Sequence, residues 1–410
     1  MTTLTLLGPG EPGPCSAPAL IAALQAAPAG SPFSPERLAL AEDLSQSLLA
    51  HPQARTVPEL VALAFFLRRS ALQRLQQEFQ ALHTPETLLV PRGLAFHIPP
   101  TNVDTIAVYA WALSMLVGNH DLVRLSSRSS PLGELLLAVL LPVLDRAPAG
   151  LRSSLAFVRY GHEEQLTATF SAGCDLRIVW GSDETVRSVR AAPVPPSATE
   201  LVFFDRWSFC LLSTAAWRAL DPPGRQRLAE GLFNDAWPFG QQGCASPRML
   251  VWVGEGALAC GQELGRALVE VLDARGWQPD ASQVSATTAF AWACALDLPV
   301  QEIQHLHPGL WLIGLGPVEQ LPRSHPGGGL LFQLRLNRLQ ELLPLVQRKD
   351  QTMTCFGFDS DELRGLAAGL GSRCPDRMLP VGQALSFHRY WDGHDLLAAL
   401  SRRVHLPVPA

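Results

Sequence analysis

The chain has 410 residues, of which 47% are hydrophobic and 17% charged, with a formal net charge of -5. That length suits two compact domains, and the composition excludes disordered, collagenous and nucleic-acid-coating classes. Basic residues cluster only in short groups such as Arg68-Arg69 and Arg402-Arg403, so no nucleic-acid partner is expected.

Eight cysteines (15, 174, 210, 244, 260, 294, 355, 374) lie scattered without paired spacing, which predicts reduced thiols. The start, Met1-Thr2-Thr3-Leu4, lacks the basic n-region and apolar stretch of a signal peptide, and Leu135 to Leu144 is too short to span a bilayer. A cytoplasmic location without a transmembrane segment is the expectation.

After a Pro/Gly-rich start, helical spacing of apolar residues predicts helices at Pro35 to Leu49 and Val57 to Leu82. From Gly93 the pattern alternates. Strands are predicted at Leu94 to Ile98, Leu122 to Leu125, Leu155 to Arg159, Leu176 to Trp180 and Leu201 to Phe204. The helices between them are Thr105 to Leu116, Pro131 to Leu144, Glu163 to Phe170 and Glu184 to Arg190. This is the pattern of an α/β fold with a doubly wound parallel sheet. A second α/β region begins near Ser208, with a helix at Arg225 to Ala236, a Gly-rich loop, a strand at Met249 to Val253 and a helix at Gly261 to Arg275. The domains are read as 1–207 and 208–376, with 377–410 returning to the first domain or forming a subunit contact.

Three constellations bear chemistry. In Phe239-Gly-Gln-Gln-Gly-Cys244-Ala-Ser-Pro-Arg248, a cysteine with small neighbours is open to an acyl carbonyl, and glycines free N–H groups to face an oxyanion. A buried, inert cysteine fits the same spacing. In His97-Ile-Pro-Pro-Thr-Asn102 a strand meets a helix, the usual ligand position of an open α/β sheet. Asn102 there is either an oxyanion donor or a helix N-cap, and His97 reads as structural. Arg124 with Ser126, and Gly181-Ser182 ahead of Asp183-Glu184, follow two further strands. They suit a phosphate and a dinucleotide, or else a surface charge and an ordinary cap. The one literal G-x-G-x-x-G, Gly8 to Gly13, contains Pro9 and Pro12 and reads as a chance match. The eleven histidines show no metal-ligand spacing.

Taken in order, Gly93 to Asn102, Leu116-Val-Gly-Asn119 with Leu122 to Ser126, Trp180 to Glu184 and Gln241 to Arg248 resemble the acyl-CoA reductase family of the LuxC type. Lys349 to Thr352, Asp376 to Gly382, Trp391 to Gly393 and the early helix Glu59 to Phe79 add to the likeness. That family is a divergent branch of the aldehyde dehydrogenases. The resemblance implies an aldehyde dehydrogenase-like α/β fold, a Rossmann-like cofactor domain plus an α/β catalytic domain. It places Cys244 at the acyl-accepting thiol, Asn102 at the oxyanion amide and Gly181-Ser182 beside the cofactor. Arg124, with Ser126, stands where the 2′-phosphate of NADPH would be met. The superfamily's deacylating Glu is missing from Phe203 to Trp207, which suits an enzyme that holds its thioester for reduction.

The expectation is NADPH-dependent reduction of a fatty acyl thioester, acyl-CoA or acyl-protein, to the aldehyde through Cys244. The alternatives are a CoA-acylating aldehyde dehydrogenase working oxidatively, and a non-catalytic acyl-binding subunit. Expected partners are an acyl-activating synthetase or acyl carrier protein and, as a homo-oligomer, further copies of the chain. No metal is expected.

Overall fold

The computed structural model describes residues 4–128 and 130–407; Met1 to Thr3, Ser129 and the last three residues lie outside the described residues. The chain forms two compact units, one of residues 1–204 with 387–410, the other of residues 205–386.

The first unit is built on β1 (Thr5–Gly8), β2 (Gly13–Pro14), β4 (Leu94–Ile98), β5 (His120–Leu125), β6 (Leu155–Arg159), β7 (Leu176–Trp180) and β8 (Thr199–Phe203), with β3 (Thr87–Pro91) outside this sheet. The sheet order is β2-β1-β6-β5-β4-β7-β8. Strands β6, β5, β4, β7 and β8 are parallel, and β1 pairs antiparallel with β6. The chain winds out to one side of β4 and then restarts on the other, which makes the carboxyl ends of β4 and β7 the topological switch point. The stretch Gly8 to Gly13 is the connection of the β1–β2 edge hairpin and opens no helix, so it is not a dinucleotide loop.

Two interior features explain motif residues. Every residue of the helix Thr105–Leu116 is buried, as its lack of a polar face requires. Its last carbonyls are met by the backbone N–H groups of Val117, Asn119, Gly118 and Phe33, and the buried Arg37 adds its charge at this end, with Nη1 donating to Met115 O at 2.5 Å and, just past the helix, to Asn119 O at 3.3 Å. Gly118 follows at φ 98°, where an added Cβ would lie 2.7 Å from Pro91, so only glycine fits. Asn119 accepts from Arg92 N at 2.8 Å and donates to Leu400 O at 2.9 Å, tying the closing segment to the unit. That segment ends in the strand Ser401–His405, antiparallel to β3.

One expected element is corrected. The single helix at Val57 to Leu82 is two, Pro58–Phe66 and Arg69–Gln80, with Arg68 extended between them. The buried residues Leu60, Leu63, Ala64 and Leu67 are followed by Leu72, Leu75 and Phe79, a slip in helical phase. A break at Arg68 lets both apolar faces turn inward.

The second unit carries β9 (Trp207–Ser213), β10 (Met249–Val253), β11 (Val300–His307), β12 (Leu310–Leu315), β13 (Leu330–Leu336), β14 (Asp350–Phe356) and β15 (Arg377–Pro380) in the order β11-β12-β13-β10-β9-β14-β15. All are parallel except β11, which pairs antiparallel with β12. The central strands are nearly continuous apolar runs because both faces are covered. Among the described residues no helix is long and apolar enough to cross a membrane.

Candidate functional site

In the first unit the site residues gather at the carboxyl ends of the parallel strands. β4 stops at Pro99-Pro100, and Asn102 follows, exposed to solvent. It is not the helix cap: Asp104 holds the N-cap place, and its carboxylate accepts from Ser130 Oγ at 2.6 Å. His97, inside β4, is buried with Nε2 2.9 Å from Asp121 Oδ1 on β5, a paired core histidine.

At the end of β7, Trp180 stacks on Phe203 with ring centroids 3.7 Å apart, fixing the exit of the chain. Gly181 N donates to Phe203 O at 3.0 Å, and Ser182 Oγ caps the helix Asp183–Arg190 by accepting from Thr185 N at 3.2 Å. An added Cβ at Gly181 would lie 2.9 Å from Thr185 Cγ2. The first turn of this helix, with Ser182, Glu184 and Thr185 exposed, lies open beside the switch point.

Arg124, near the end of β5, donates through Nη2 to Gly161 O at 2.6 Å and to Tyr160 O at 3.3 Å, and its guanidinium lies over the Tyr160 ring at 5.1 Å. Burial lowers the arginine below its ordinary value, while Tyr160 and Glu163 hold it up. Tyr160 itself is pushed up to about 12 by burial and stays a neutral phenol. Ile98, Arg124, Gly161, His162, Thr185 and Ser188 line one open crevice of about 740 Å³. Ser126 instead lines a separate cleft of about 50 Å³ with Pro100, Thr101 and Arg128. The sheet thus brings Arg124 to the same crevice as the helix that Ser182 caps, and sets Ser126 apart from both. Arg124 and the helix N-terminus are donors that suit the anionic groups of a dinucleotide, and the crevice also carries the carboxylates of Glu164 and Glu184.

In the second unit, Cys244 stands half-buried in the connection between the helix Pro222–Ala236 and β10. Phe239, Gly240 and Gln241 all take positive φ, at 55°, 59° and 65°. Two of these are not glycine, and such a backbone persists only where its surroundings fix it. The buried Gln241 side chain does so: Nε2 donates to Pro247 O and Leu330 O, both at 3.0 Å, and Oε1 accepts from Gly329 N at 2.9 Å. Gly328 N reaches Gly240 O at 3.0 Å. On the strand side, Ser208 Oγ donates to Cys244 O at 2.7 Å and accepts from Thr352 N at 3.2 Å. The carbonyl of Cys244 is anchored to β9, and the turn before it to the 327–330 loop.

Arg248, four residues on, is the cation of this site. Burial lowers it from its ordinary value, and attraction to Cys244 and Asp205 opposes that. Because that attraction is mutual, Arg248 favours a thiolate at Cys244. His325 is pushed down to about 3 by burial, with Arg248 adding to the shift. It remains neutral, its Nε2 2.7 Å from Leu330 O and its Nδ1 accepting from Gly327 N at 3.0 Å, and so braces the loop. Asp205 lies in an ion pair with Lys349 at 3.0 Å. Among the described residues no group of three His, Cys, Asp or Glu side chains could hold a metal ion.

Sequence reasoning passed over Gln241, Ser208 and Arg248 as agents. Gln241 and Arg248 stood inside the quoted motif, but only the left-handed turn and the burial of a guanidinium reveal what they do.

Comparison with known proteins bears on the family and the fold. A family model described as acyl-CoA reductase (LuxC) matches residues 51–291. Comparison with curated proteins returns no match. Among solved structures, an oxidoreductase from Marinobacter aquaeolei is similar with a TM-score of 0.70 at 13% identity, over 97% of this chain and 92% of that one. Aldehyde dehydrogenase 21 from Physcomitrella patens, in complex with the reaction product succinate, is similar with a TM-score of 0.64 at 14% identity, over 95% and 88%. The bifunctional proline utilization A protein gives a TM-score of 0.66 at 15% identity over 97% of this chain, which spans only 45% of that protein. At these identities the structures show the fold: aldehyde dehydrogenase-like, with a Rossmann-like sheet and a second α/β sheet.

Proposed function

Because the chain belongs to the acyl-CoA reductase (LuxC) family, an oxidoreductase family of acyl substrates and nicotinamide cofactors, we propose that it reduces a fatty acyl thioester to the aldehyde through an acyl-enzyme on Cys244, with NADPH as the cofactor. The observation that carries the reading is the built seat of Cys244, a half-buried thiol on a loop stapled by Gln241 and Ser208.

In the proposed cycle, Cys244 as thiolate attacks the thioester carbonyl carbon. The carbonyl electrons move to oxygen, where the backbone N–H of Cys244 and the amide of Asn102 donate hydrogen bonds. Collapse breaks the bond to the carrier sulfur, and the carrier thiolate leaves. NADPH supplies hydride when bound. Arg124 would hold its ribose phosphate, and Gly181-Ser182 would open the helix N-terminus to its pyrophosphate. The thiohemiacetal on Cys244 then releases the aldehyde and restores the thiolate, which Arg248 stabilises. Asp205 is engaged by Lys349 and offset from the superfamily's deacylating Glu, which supports a thioester that awaits reduction.

The test is intact-protein mass after mixing with acyl-CoAs of several chain lengths, followed by NADPH. An acyl adduct on the Cys244 peptide, discharged as aldehyde when NADPH is added, supports the reading. Adduct on another cysteine, or its loss as free acid without cofactor, refutes it.

A further inference from the structure

One buried carboxylate in the second unit has no part in the cycle above. Asp235, at the end of the helix Pro222–Ala236, is 1% exposed. Its Oδ2 accepts from Gly382 N at 2.6 Å and its Oδ1 from Ala384 N at 2.7 Å. The same loop is gripped from β15, where Arg377 donates through Nη1 to Ala384 O at 3.1 Å and through Nη2 to Ser386 O at 3.3 Å. One turn back on the helix, Gly231 lets the loop backbone come close: an added Cβ there would lie 3.4 Å from Gly382 N. Gly382 itself takes φ 93°. The next residue along the loop, Leu385, packs on the nucleophile loop, since an added Cβ at Gly243 would lie 3.3 Å from Leu385 Cδ2. A continuous path therefore runs from the Asp235 carboxylate, through the Gly382–Leu385 backbone, to the residue that precedes Cys244.

Resting on the reading of Cys244 as nucleophile, we propose that Asp235 is a positioning residue: as a carboxylate it fixes the Gly382–Leu385 loop, and through Leu385 on Gly243 it sets the backbone that carries the thiol. Loss of the charge loosens this path, because a carboxylate accepts both N–H groups at full strength while a neutral carboxyl must place its own proton. Among the described residues, Arg377 on β15 attracts the Asp235 charge and Cys210 on β9 is repelled by it as a thiolate; the loop presents backbone N–H groups. Burial raises Asp235 to about 7, against the two N–H donors and Arg377, so the clamp is set to change within the neutral range.

The experiment compares the full chain with Asp235→Asn, Leu385→Ala and the double variant. It reads the first-turnover acylation of Cys244 by dodecanoyl-CoA and, separately, alkylation of the Cys244 peptide by iodoacetamide, each across the neutral pH range. At about pH 8 the Asp235→Asn acylation rate should fall about tenfold, as loss of one charge-assisted hydrogen bond gives, and the ratio of variant to parent should approach one near pH 5.5. The alkylation ratio should depart from one and return over the same range. Leu385→Ala should reproduce the acylation loss, and the double variant should lose no more than either alone, since both cut one path. A ratio that does not vary with pH, or additive losses, overturns the proposal. If the parent takes up no acyl group, the function reading fails, and the alkylation arm still decides the role of Asp235.

Discussion

Replacing Gln241 by Ala tests whether the turn before Cys244 is held by one side chain. Gln241 is fully buried and makes three hydrogen bonds, to Pro247 O, Leu330 O and Gly329 N. Truncation leaves the Pro247 carbonyl and the Gly329 N–H without this partner, each costing about 1 to 3 kcal/mol, while Leu330 O keeps the bond from His325 Nε2. Water entering the vacated space offsets part of that, so the net loss should be about 2 to 4 kcal/mol. For a unit of this size, about 2 to 4 °C of Tm per kcal/mol predicts a fall of roughly 4 to 16 °C by scanning calorimetry of the full chain. Acylation of Cys244, followed by mass at a temperature where the variant is folded, should slow as well, because Phe239 and Gly240 lose the anchor for their left-handed turn. Gln241→Glu should not rescue it, since a carboxylate facing two carbonyls repels them. A Gln241→Ala variant that melts within about 2 °C of the parent, on the same scale of Tm per kcal/mol, and acylates at the parent rate would refute the reasoning.

Cys244→Ser should abolish both acyl-enzyme formation and aldehyde production, because a hydroxyl without an adjacent base is a far weaker nucleophile; retention of either activity in a coupled NADPH assay would exclude Cys244. Asn102→Ala should keep the melting temperature and slow acylation by roughly a hundredfold or more, as removal of an oxyanion donor does, and an unchanged rate would dismiss it from catalysis. Arg124→Ala should raise KM for NADPH more than for NADH. Since Arg124 also holds Tyr160 O and Gly161 O, the ratio of the two is the reading, and equal losses would leave it only that structural duty. For Asp235, the folded value near 7 lies above the ordinary 3.8, so its stability contribution is present below about pH 4 and lost as pH rises through 7; Asp235→Asn should flatten the Tm profile over that window, and an unchanged slope would contradict it.

Much of the first unit was legible without coordinates. Strands such as Leu94–Ile98, Leu155–Arg159 and Leu176–Trp180 are short apolar runs closed by turn residues, and the helix Thr105–Leu116 is apolar throughout, so local composition alone marks them. The residue order around Cys244, and its likeness to a family, was likewise a property of the string. What the string could not hold is pairing at long range. The break at Arg68 follows from which faces find partners, and the course of the closing segment from Asn119 meeting Leu400, residues 281 positions apart. Arg124 and Ser126 are two residues apart in sequence, yet they line different clefts, because loops from separate strands close around each. Gln241 reads as one more polar residue until Gly329 and Leu330 are brought to it from 88 and 89 positions away. Asp235 becomes a clamp only where Gly382 and Ala384 reach it. Apolar periodicity depends on neighbours a few residues off and is written in the sequence; the partner of a buried polar group is chosen by the packed fold.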